Sequence, residues 1–189
     1  MFEQLANLPL DQRWRQQRYP APIVVAVVKR PFNNSYLLIQ RNSEPYKDKL
    51  ALVSGKWEFG ETLATAIERE AAEETGLTAQ FTALHNLLNE RIAPETATEE
   101  SCHFLLFVCE LIVAAGEAST QAEGTVGWFT PSEIETLQTQ EAIVPTDYRL
   151  LQMARRSAQH KSLPYFEANM LRKSDQSIEM ISFQPIEQA

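Results

Sequence analysis

The segment GKWEFGETLATAIEREAAEETGL, residues 55–77, carries three glutamates close together, two of them adjacent, within a stretch punctuated by glycines. A solvated helix face would account for the acids alone. It would not account for the spacing of Gly55, Glu61, Arg69 and Gly76. The segment therefore needs a chemical explanation, and the rest of the chain is best interpreted around it.

The second half of this segment has the pattern of a short helix. Thr62 can cap the first turn, and Gly76 can supply the left-handed backbone that ends the last turn after residue 75. At 100° per residue, Glu70, Glu73 and Glu74 fall within an arc of about 100°. The apolar positions of the helix occupy the neighbouring arc, so we expect the three carboxylates to lie at the margin of its packed face.

Carboxylates at this spacing repel one another, at a cost of a few tenths of a kcal/mol per pair on an exposed helix and more when partly buried. A divalent cation would convert that cost into binding energy. Because all the ligands would be oxygen atoms, a hard ion is favoured, and we expect Mg²⁺ with Mn²⁺ as a substitute.

The first half of the segment supplies glycines and an ion pair. We expect Gly55 and Gly60 to form a loop in which backbone carbonyls turn toward a metal and a substrate approaches closely. Glu61 begins the helix, where its charge suits the positive helix end. Arg69 can hold a carboxylate by a bidentate bond, with Glu61 as one possible partner.

The rest of the chain predicts strands interspersed with helices. Thr130, Pro131 and Glu133 have the spacing of a capping box that begins a helix. Such an order is typical of an α/β (α+β) protein with a mixed sheet covered by helices. The predicted strands are 23–29, 36–41, 50–54, 81–88, 103–113 and 126–129, with an acidic loop at 90–100 and a helix at 146–161.

We predict three parts along the chain. Residues 1–20 form an N-terminal arm, 21–162 form the main domain, and 163–189 form a β-hairpin extension packed on the same domain. Cys102 and Cys109 fall an odd number of residues apart on one strand, so their side chains should point to opposite faces without a disulfide.

Composition narrows the functional class. The chain has 189 residues, with 17 basic and 25 acidic side chains and a formal charge of −8. This charge argues against a nucleic acid polymer as partner. No apolar run approaches the roughly 18 residues that cross a bilayer. With only two cysteines, we expect a cytoplasmic protein that does not bind membranes.

The fixed residues of the segment carry a resemblance to a known family. The pattern G55-x5-E61-x7-R69-E70-A71-x-E73-E74-x-G76-L77 resembles the signature of the Nudix hydrolases, and the likeness extends over about residues 20–140. The resemblance implies an α/β/α sandwich with a mixed sheet. It also implies Mg²⁺-dependent cleavage of a phosphoanhydride in nucleoside diphosphates linked to another group.

The same resemblance implies roles for individual residues. Glu70, Glu73 and Glu74, together with the backbone carbonyl of Ser54, are expected to bind the metal, and Arg69 and Glu61 to orient them. Glu123, in a later loop ahead of a tryptophan, is expected as a ligand or as the base that deprotonates water; Glu70 is the other candidate base. Members often have Pro-Gly-Gly where this chain has Val-Ser-Gly at 53–55, which restricts the backbone there.

Substrate contacts are expected from side chains around the glycines. Trp57 and Phe59 can stack on a nucleobase or simply pack the loop, and Arg41 and Lys56 can contact phosphate near Gly55. The stretch 41–52 resembles members that act on ADP-ribose, so ADP-ribose-like compounds are favoured over oxidised nucleoside triphosphates.

Two other hypotheses stay open. One is that the chain is a nucleotide-sensing module, which has the Nudix fold but does not hydrolyse the nucleotide. The intact set of carboxylates disfavours this hypothesis. The arm and the tail can also build a homodimer.

Overall fold

The computed structural model describes residues 19–30, 34–94, 101–115, 117–156, 165–175 and 177–185. Nearly all of the predicted N-terminal arm lies outside these residues. The elements in chain order are β1 Ala21–Arg30, β2 Ser35–Arg41, β3 Leu50–Ala51, β4 Val53–Lys56, α1 Leu63–Thr75, β5 Thr78–Pro94, β6 Cys102–Ala115, β7 Gly124–Phe129, α2 Pro131–Thr139, α3 Pro145–Arg156, β8 Tyr165–Arg172 and β9 Ile178–Pro185.

The strands form one mixed sheet, as predicted. Its order is β3-β2-β1-β6-β5-β8-β9, with β4 added to β1 and β7 added to β2. The pairs β1–β6 and β5–β8 are parallel, and the other pairs are antiparallel. No helix in the described part of the chain is long and apolar enough to span a membrane.

Helices cover both faces of this sheet, which confirms the expected three-layer sandwich. On one face α1 buries Ala66, Ile67 and Ala71 against strand residues such as Val24. On the other face α2 and α3 contribute a second core, defined by residues that include Ile134, Leu150 and Leu151. We call these the α1 core and the α3 core.

The helix predicted from the quoted segment is α1. The Thr62 hydroxyl accepts a hydrogen bond from the backbone N–H of Thr65 at 3.1 Å, which satisfies one free donor of the first turn. Gly76 has φ of 71°, and its N–H donates to the carbonyl of Ala72 at 2.9 Å. Both ends of α1 are therefore fixed by local residues, and the predicted capping box of α2 is also present.

Three boundaries differ from the prediction. The predicted strand 50–54 is two strands, because the chain changes partner at Leu52 from β2 to β1. Residues 90–94 of the predicted acidic loop are part of β5, where all of them pair with β8 and residues 90–92 also pair with β6. The helix predicted over 146–161 is observed at Pro145–Arg156, and the remainder lies outside the described residues.

The predicted C-terminal hairpin is present as β8 and β9, which pair antiparallel. Strand β8 also joins the main sheet through its parallel pairing with β5. Cys102 and Cys109 are free, buried residues of the same strand, and they belong to the α3 core and the α1 core respectively. The expectation that they point to opposite faces is confirmed.

Candidate functional site

The glutamates of α1 are organised around Arg69. Its Nε and Nη2 donate to the two carboxylate oxygens of Glu61 at 2.8 and 3.1 Å. Its Nη1 donates to Glu70 at 2.8 Å and to Glu73 at 3.2 Å, and its Nη2 also donates to the Lys56 carbonyl at 3.1 Å. Hydrogen bonding to Arg69 lowers the pKa of Glu61, and the pKa of Arg69 is raised in return.

Glu70 occupies a hollow that a glycine leaves open. A Cβ built on Gly55 would lie 2.0 Å from the Glu70 Cδ, far inside contact distance. Burial is the main cause that raises the pKa of Glu70, and the Arg69 hydrogen bond opposes it. Gly55 lies in strand β4, paired with Val24. The expected glycine loop is therefore wrong at this position, where glycine provides space for a carboxylate within a regular strand.

Glu74 is the most buried of the α1 glutamates, with 5% of its surface exposed. Burial, followed by the nearby charge of Glu123, raises its pKa to about 9. The carboxyl groups of Glu74 and Glu123 interact directly, and the backbone N–H of Ser54 also faces Glu74. Two ionised carboxylates in contact repel each other, so that either a proton on Glu74 or a cation between the two groups is favoured.

The position of Ser54 in its strand bears on the expected carbonyl ligand. Ser54 pairs with Val25 of β1, yet its N–H is directed to Glu74. In an antiparallel pair the N–H and the C=O of one residue point to the same side of the strand. The carbonyl of Ser54 therefore faces the same edge as its N–H, toward the glutamates.

Glu123 reaches the α1 glutamates from a tight turn before β7. Gly124 follows it and approaches β2 closely, since a Cβ there would lie 1.9 Å from the carbonyl oxygen of Gln40. The turn is also held by Asn42, whose side-chain amide donates to the carbonyl of Ala122. The charge of Glu123 contributes to the raised pKa of both Glu70 and Glu74. The structure thus places Glu123 close to Glu70 and Glu74, while Glu73 shares Arg69 as a hydrogen-bond donor with Glu70.

These residues fit a hard cation. Within the described residues no three His, Cys, Asp or Glu side chains already surround one ion position. Glu73, with a 60% exposed side chain, is paired with Arg69. The fit rests on the buried carboxyl group of Glu74 beside Glu123, the Gly55 hollow around Glu70, and the all-oxygen donor set.

The predicted substrate residues are placed differently from one another. Trp57 packs the loop, because its indole Nε1 donates to the Glu61 carbonyl at 3.0 Å and its ring meets Phe107 edge-on at 5.0 Å. Phe59 is fully exposed in the segment between β4 and α1. Lys56 contributes its backbone carbonyl to Arg69.

Arg41 is not brought to the α1 glutamates. Its Nε donates to the carbonyl of Pro45 at 2.9 Å. Burial raises the pKa of Asp147 and of Tyr46, and the charge of Arg41 offsets part of that rise.

Asp147 and Glu90 form a second acidic pair, which the sequence did not indicate. Burial raises the pKa of Asp147 to about 7, with a smaller contribution from Glu90.

The comparison with protein families agrees with this site. A model of the NUDIX domain matches residues 20–152, which is more than half of the chain. The chain belongs to the Nudix family. Members of this family generally use divalent metal ions, in agreement with the acids gathered at α1.

Relatives of this Nudix chain are known in sequence and in structure. An ADP-ribose pyrophosphatase of Methanocaldococcus jannaschii is 30% identical over 115 residues, covering 59% of this chain and 65% of the relative. The match thus spans just under two thirds of that relative's length.

Solved Nudix structures share the fold. A NUDIX hydrolase from Nitrosomonas europaea superposes with a TM-score of 0.61 at 22% identity, covering 82% of this chain and 81% of that one. The NUDIX domain of Shewanella oneidensis NrtR, solved with ADP ribose, gives 0.56 at 16% identity, with coverages of 84% and 98%.

Proposed function

We propose that this Nudix chain is a Mg²⁺-dependent hydrolase that cleaves a phosphoanhydride in nucleoside diphosphate derivatives. One observation carries the proposal. Glu74 is buried against the carboxyl group of Glu123, with Glu70 close to both. Such an arrangement is unfavourable by itself and becomes favourable when a dication lies among the acids. Mn²⁺ is expected to substitute for Mg²⁺.

The chain's residues would hold the ion and position the water. Glu70, Glu74 and the Ser54 carbonyl are the proposed ligands, with Glu73 joining them if it leaves Arg69. A bound dication would neutralise the diphosphate and lower the pKa of a coordinated water. Arg69 and Glu61 fix the orientation of Glu70 through the hydrogen bonds described above.

Glu123 is the better placed of the two candidate bases. One oxygen of Glu70 accepts from Arg69 at 2.8 Å, and the whole group lies in the Gly55 hollow. Glu123 lies on an exposed turn and contacts Glu74. We therefore assign to Glu123 the acceptance of the proton from the attacking water, which is general base catalysis.

ADP-ribose-like compounds are the favoured substrates, ahead of oxidised nucleoside triphosphates. The relative from M. jannaschii and the ADP ribose bound to the S. oneidensis domain support this order. Phe59, fully exposed in the segment that leads into α1, can stack on a nucleobase. Gly55, Lys56 and Trp57 would form the adjoining wall, whereas Arg41 is too engaged with the 42–49 loop to serve without rearrangement.

A substrate panel tests the proposal. ADP-ribose, related nucleoside diphosphate derivatives and oxidised triphosphates are incubated with Mg²⁺ or Mn²⁺, and phosphate-containing products are measured. Glu74→Gln should abolish turnover. Glu179→Gln, which makes the same change on the exposed strand β9, should not. No turnover of any panel member with either ion would contradict the proposal.

The sensing module is the second candidate, because the S. oneidensis relative is a Nudix domain solved with ADP ribose. Calorimetry separates the two: tight binding of ADP-ribose with Mg²⁺ and no product would favour sensing. The free thiols support a cytoplasmic location, and light scattering would test the proposed homodimer.

A further inference from the structure

A polar cavity of about 360 Å³ lies on the sheet face opposite α1. Its lining includes Val27 and Tyr36, both members of the α3 core, so the sheet separates it from the α1 glutamates. The volume is at the lower end of the range for small-molecule sites. The polar side chains that line it are Lys29, Asn34, Tyr36, His85, Glu110 and Arg155.

Lys29 is a half-buried cation without a counter-ion in this cavity. Within the described chain no carboxylate lies within salt-bridge distance of its ammonium group, and its recorded contact is the Tyr36 ring, at 6.0 Å. A partly buried charge is normally paired, because desolvation without a partner is costly. An unpaired cation in an acidic protein therefore points to an anion that is bound from solution.

Two neutral groups in the same cavity also lack partners. No hydrogen bond of the Asn34 amide or the Tyr36 hydroxyl is found in the part of the chain that the structure describes. Burial raises the pKa of Tyr36, with a smaller lowering contribution from Arg155 and a raising one from Glu110. The hydroxyl therefore keeps its proton and can donate.

The other polar groups that line the cavity are paired. The imidazole of His85 contacts the carboxylate of Glu110 at 2.5 Å, and Nη1 of Arg155 donates to Glu135 at 3.1 Å. Arg155 has further N–H donors beyond this one bond. Glu110, with a 39% exposed side chain, can accept a hydrogen bond from a ligand hydroxyl.

We propose that this cavity is a second ligand site, which binds a phosphate monoester of sugar or nucleoside size. Lys29 is the cation of this cavity that a phosphate group can pair with, and the N–H groups of Arg155 that Glu135 does not accept from can add hydrogen bonds to the phosphate oxygens. Asn34 and Tyr36 donate to its oxygens, and Glu110 accepts from a sugar hydroxyl. The site is separate from the proposed hydrolytic site and does not depend on it.

Ribose 5-phosphate is a suitable probe. Titration of the full chain without divalent ions should give saturable binding by calorimetry, and ribose without phosphate should give none. Lys29→Met should weaken binding about tenfold, the loss of one charge-assisted contact, and Tyr36→Phe severalfold. Lys173→Met removes the same charge in the turn between β8 and β9 and should leave the affinity unchanged.

Amide chemical shifts locate the ligand. Residues around Asn34 and Tyr36 should shift on titration, and Glu74→Gln should bind as tightly as the wild type. Substrate turnover by Lys29→Met in the absence of ribose 5-phosphate should also be unchanged. Equal affinity of Lys29→Met and wild type, loss of binding in Glu74→Gln, or no binding at millimolar ligand would each overturn the site.

Discussion

The α1 glutamates with Glu123 form one acidic group, and Asp147 with Glu90 forms a second. The carboxyl groups of the two are compensated in different ways. In the second pair, Glu90 accepts from the Thr146 hydroxyl at 2.7 Å and Asp147 from the Leu52 N–H at 2.8 Å. In the α1 group, Glu74 has the Ser54 N–H but also meets the carboxyl of Glu123. Each acid of the second pair thus has a neutral donor of its own.

The difference indicates what each group requires. Burial is the first cause of the raised pKa in both Glu74 and Asp147. A neutral donor compensates a buried carboxyl whether or not it is ionised, whereas two touching carboxyls need a proton or a cation. The α1 group is therefore the one expected to respond to metal, and the Asp147–Glu90 pair is expected to remain structural.

The largest expected effect follows from filling the Gly55 hollow. Gly55→Ala places a Cβ 2.0 Å from the Glu70 Cδ, so Glu70 must move. A displacement of about 1 Å at a reacting centre costs about 100-fold in rate, and we expect at least that loss in kcat/KM. Gly60→Ala is the matched control, because its Cβ meets no atom within 4 Å and only its φ of 88° is strained. Equal loss in both variants would contradict the role of space at Gly55.

Arg69→Lys should lower kcat/KM by about 10- to 100-fold, the usual range for a group that orients metal ligands. Lysine keeps the charge but cannot bond Glu61 in a bidentate manner while also reaching Glu70. Steady-state kinetics over a Mg²⁺ series would measure this, with an increased Mg²⁺ requirement as the specific sign. A variant with wild-type kinetics at every Mg²⁺ concentration would show that Glu70 is oriented without Arg69.

Without metal, Glu74→Gln should stabilise the protein at alkaline pH. The pKa of Glu74 is raised from 4.5 to about 9 in the fold, so the folded state retains a proton that the unfolded state releases. Stability attributable to this group is complete below about pH 4.5 and falls as pH rises toward 9. In EDTA, the variant should therefore melt several degrees above wild type at pH 8.

At pH 5 the melting temperatures of Glu74→Gln and wild type should be closer to each other than at pH 8. Addition of Mg²⁺ at pH 8 should raise the melting temperature of the wild type and leave that of the variant unchanged. A Glu74→Gln variant that is less stable than wild type at pH 8 in EDTA would show that no buried charge is relieved there.

Asp147→Asn should have the smallest effect. The amide oxygen can still accept from Leu52, and the raised pKa of Asp147, about 7, predicts a modest stability that falls as pH rises from about 4 to 7. We expect the melting temperature to rise by about one or two degrees at pH 8, independently of Mg²⁺. Turnover should stay within about twofold of wild type. If the change in melting temperature depended on Mg²⁺, the proposed difference between the two acidic groups would be wrong.

The α1 site was predictable because its signals are local. Thr62 and Gly76 fix the ends of one helix, and helical spacing alone places Glu70, Glu73 and Glu74 together. The bidentate partner of Arg69 lies only eight residues away. Sequence could not reveal why Gly55 is a glycine, because the Glu70 carboxylate reaches it across tertiary structure.

The elements whose observed bounds differ from the prediction depend on contacts with residues distant in sequence. Residues 90–94 lack a strand-like pattern, yet they pair with β8 on one side, and residues 90–92 pair with β6 on the other. Leu52 interrupts a predicted strand because β3 and β4 pair with different neighbours. Asp147 meets Leu52, 95 residues earlier in the chain, and no periodicity indicates such a contact.

The two free cysteines supply an intrinsic means of following how the layers come apart. Since Cys102 is buried in the α3 core and Cys109 in the α1 core, a thiol reagent can modify each one only when its own core opens. Equal labelling rates would mean that the sandwich opens as a unit. Faster modification of Cys102 than of Cys109 would mean that the helix bearing the glutamates stays docked while the opposite layer loosens.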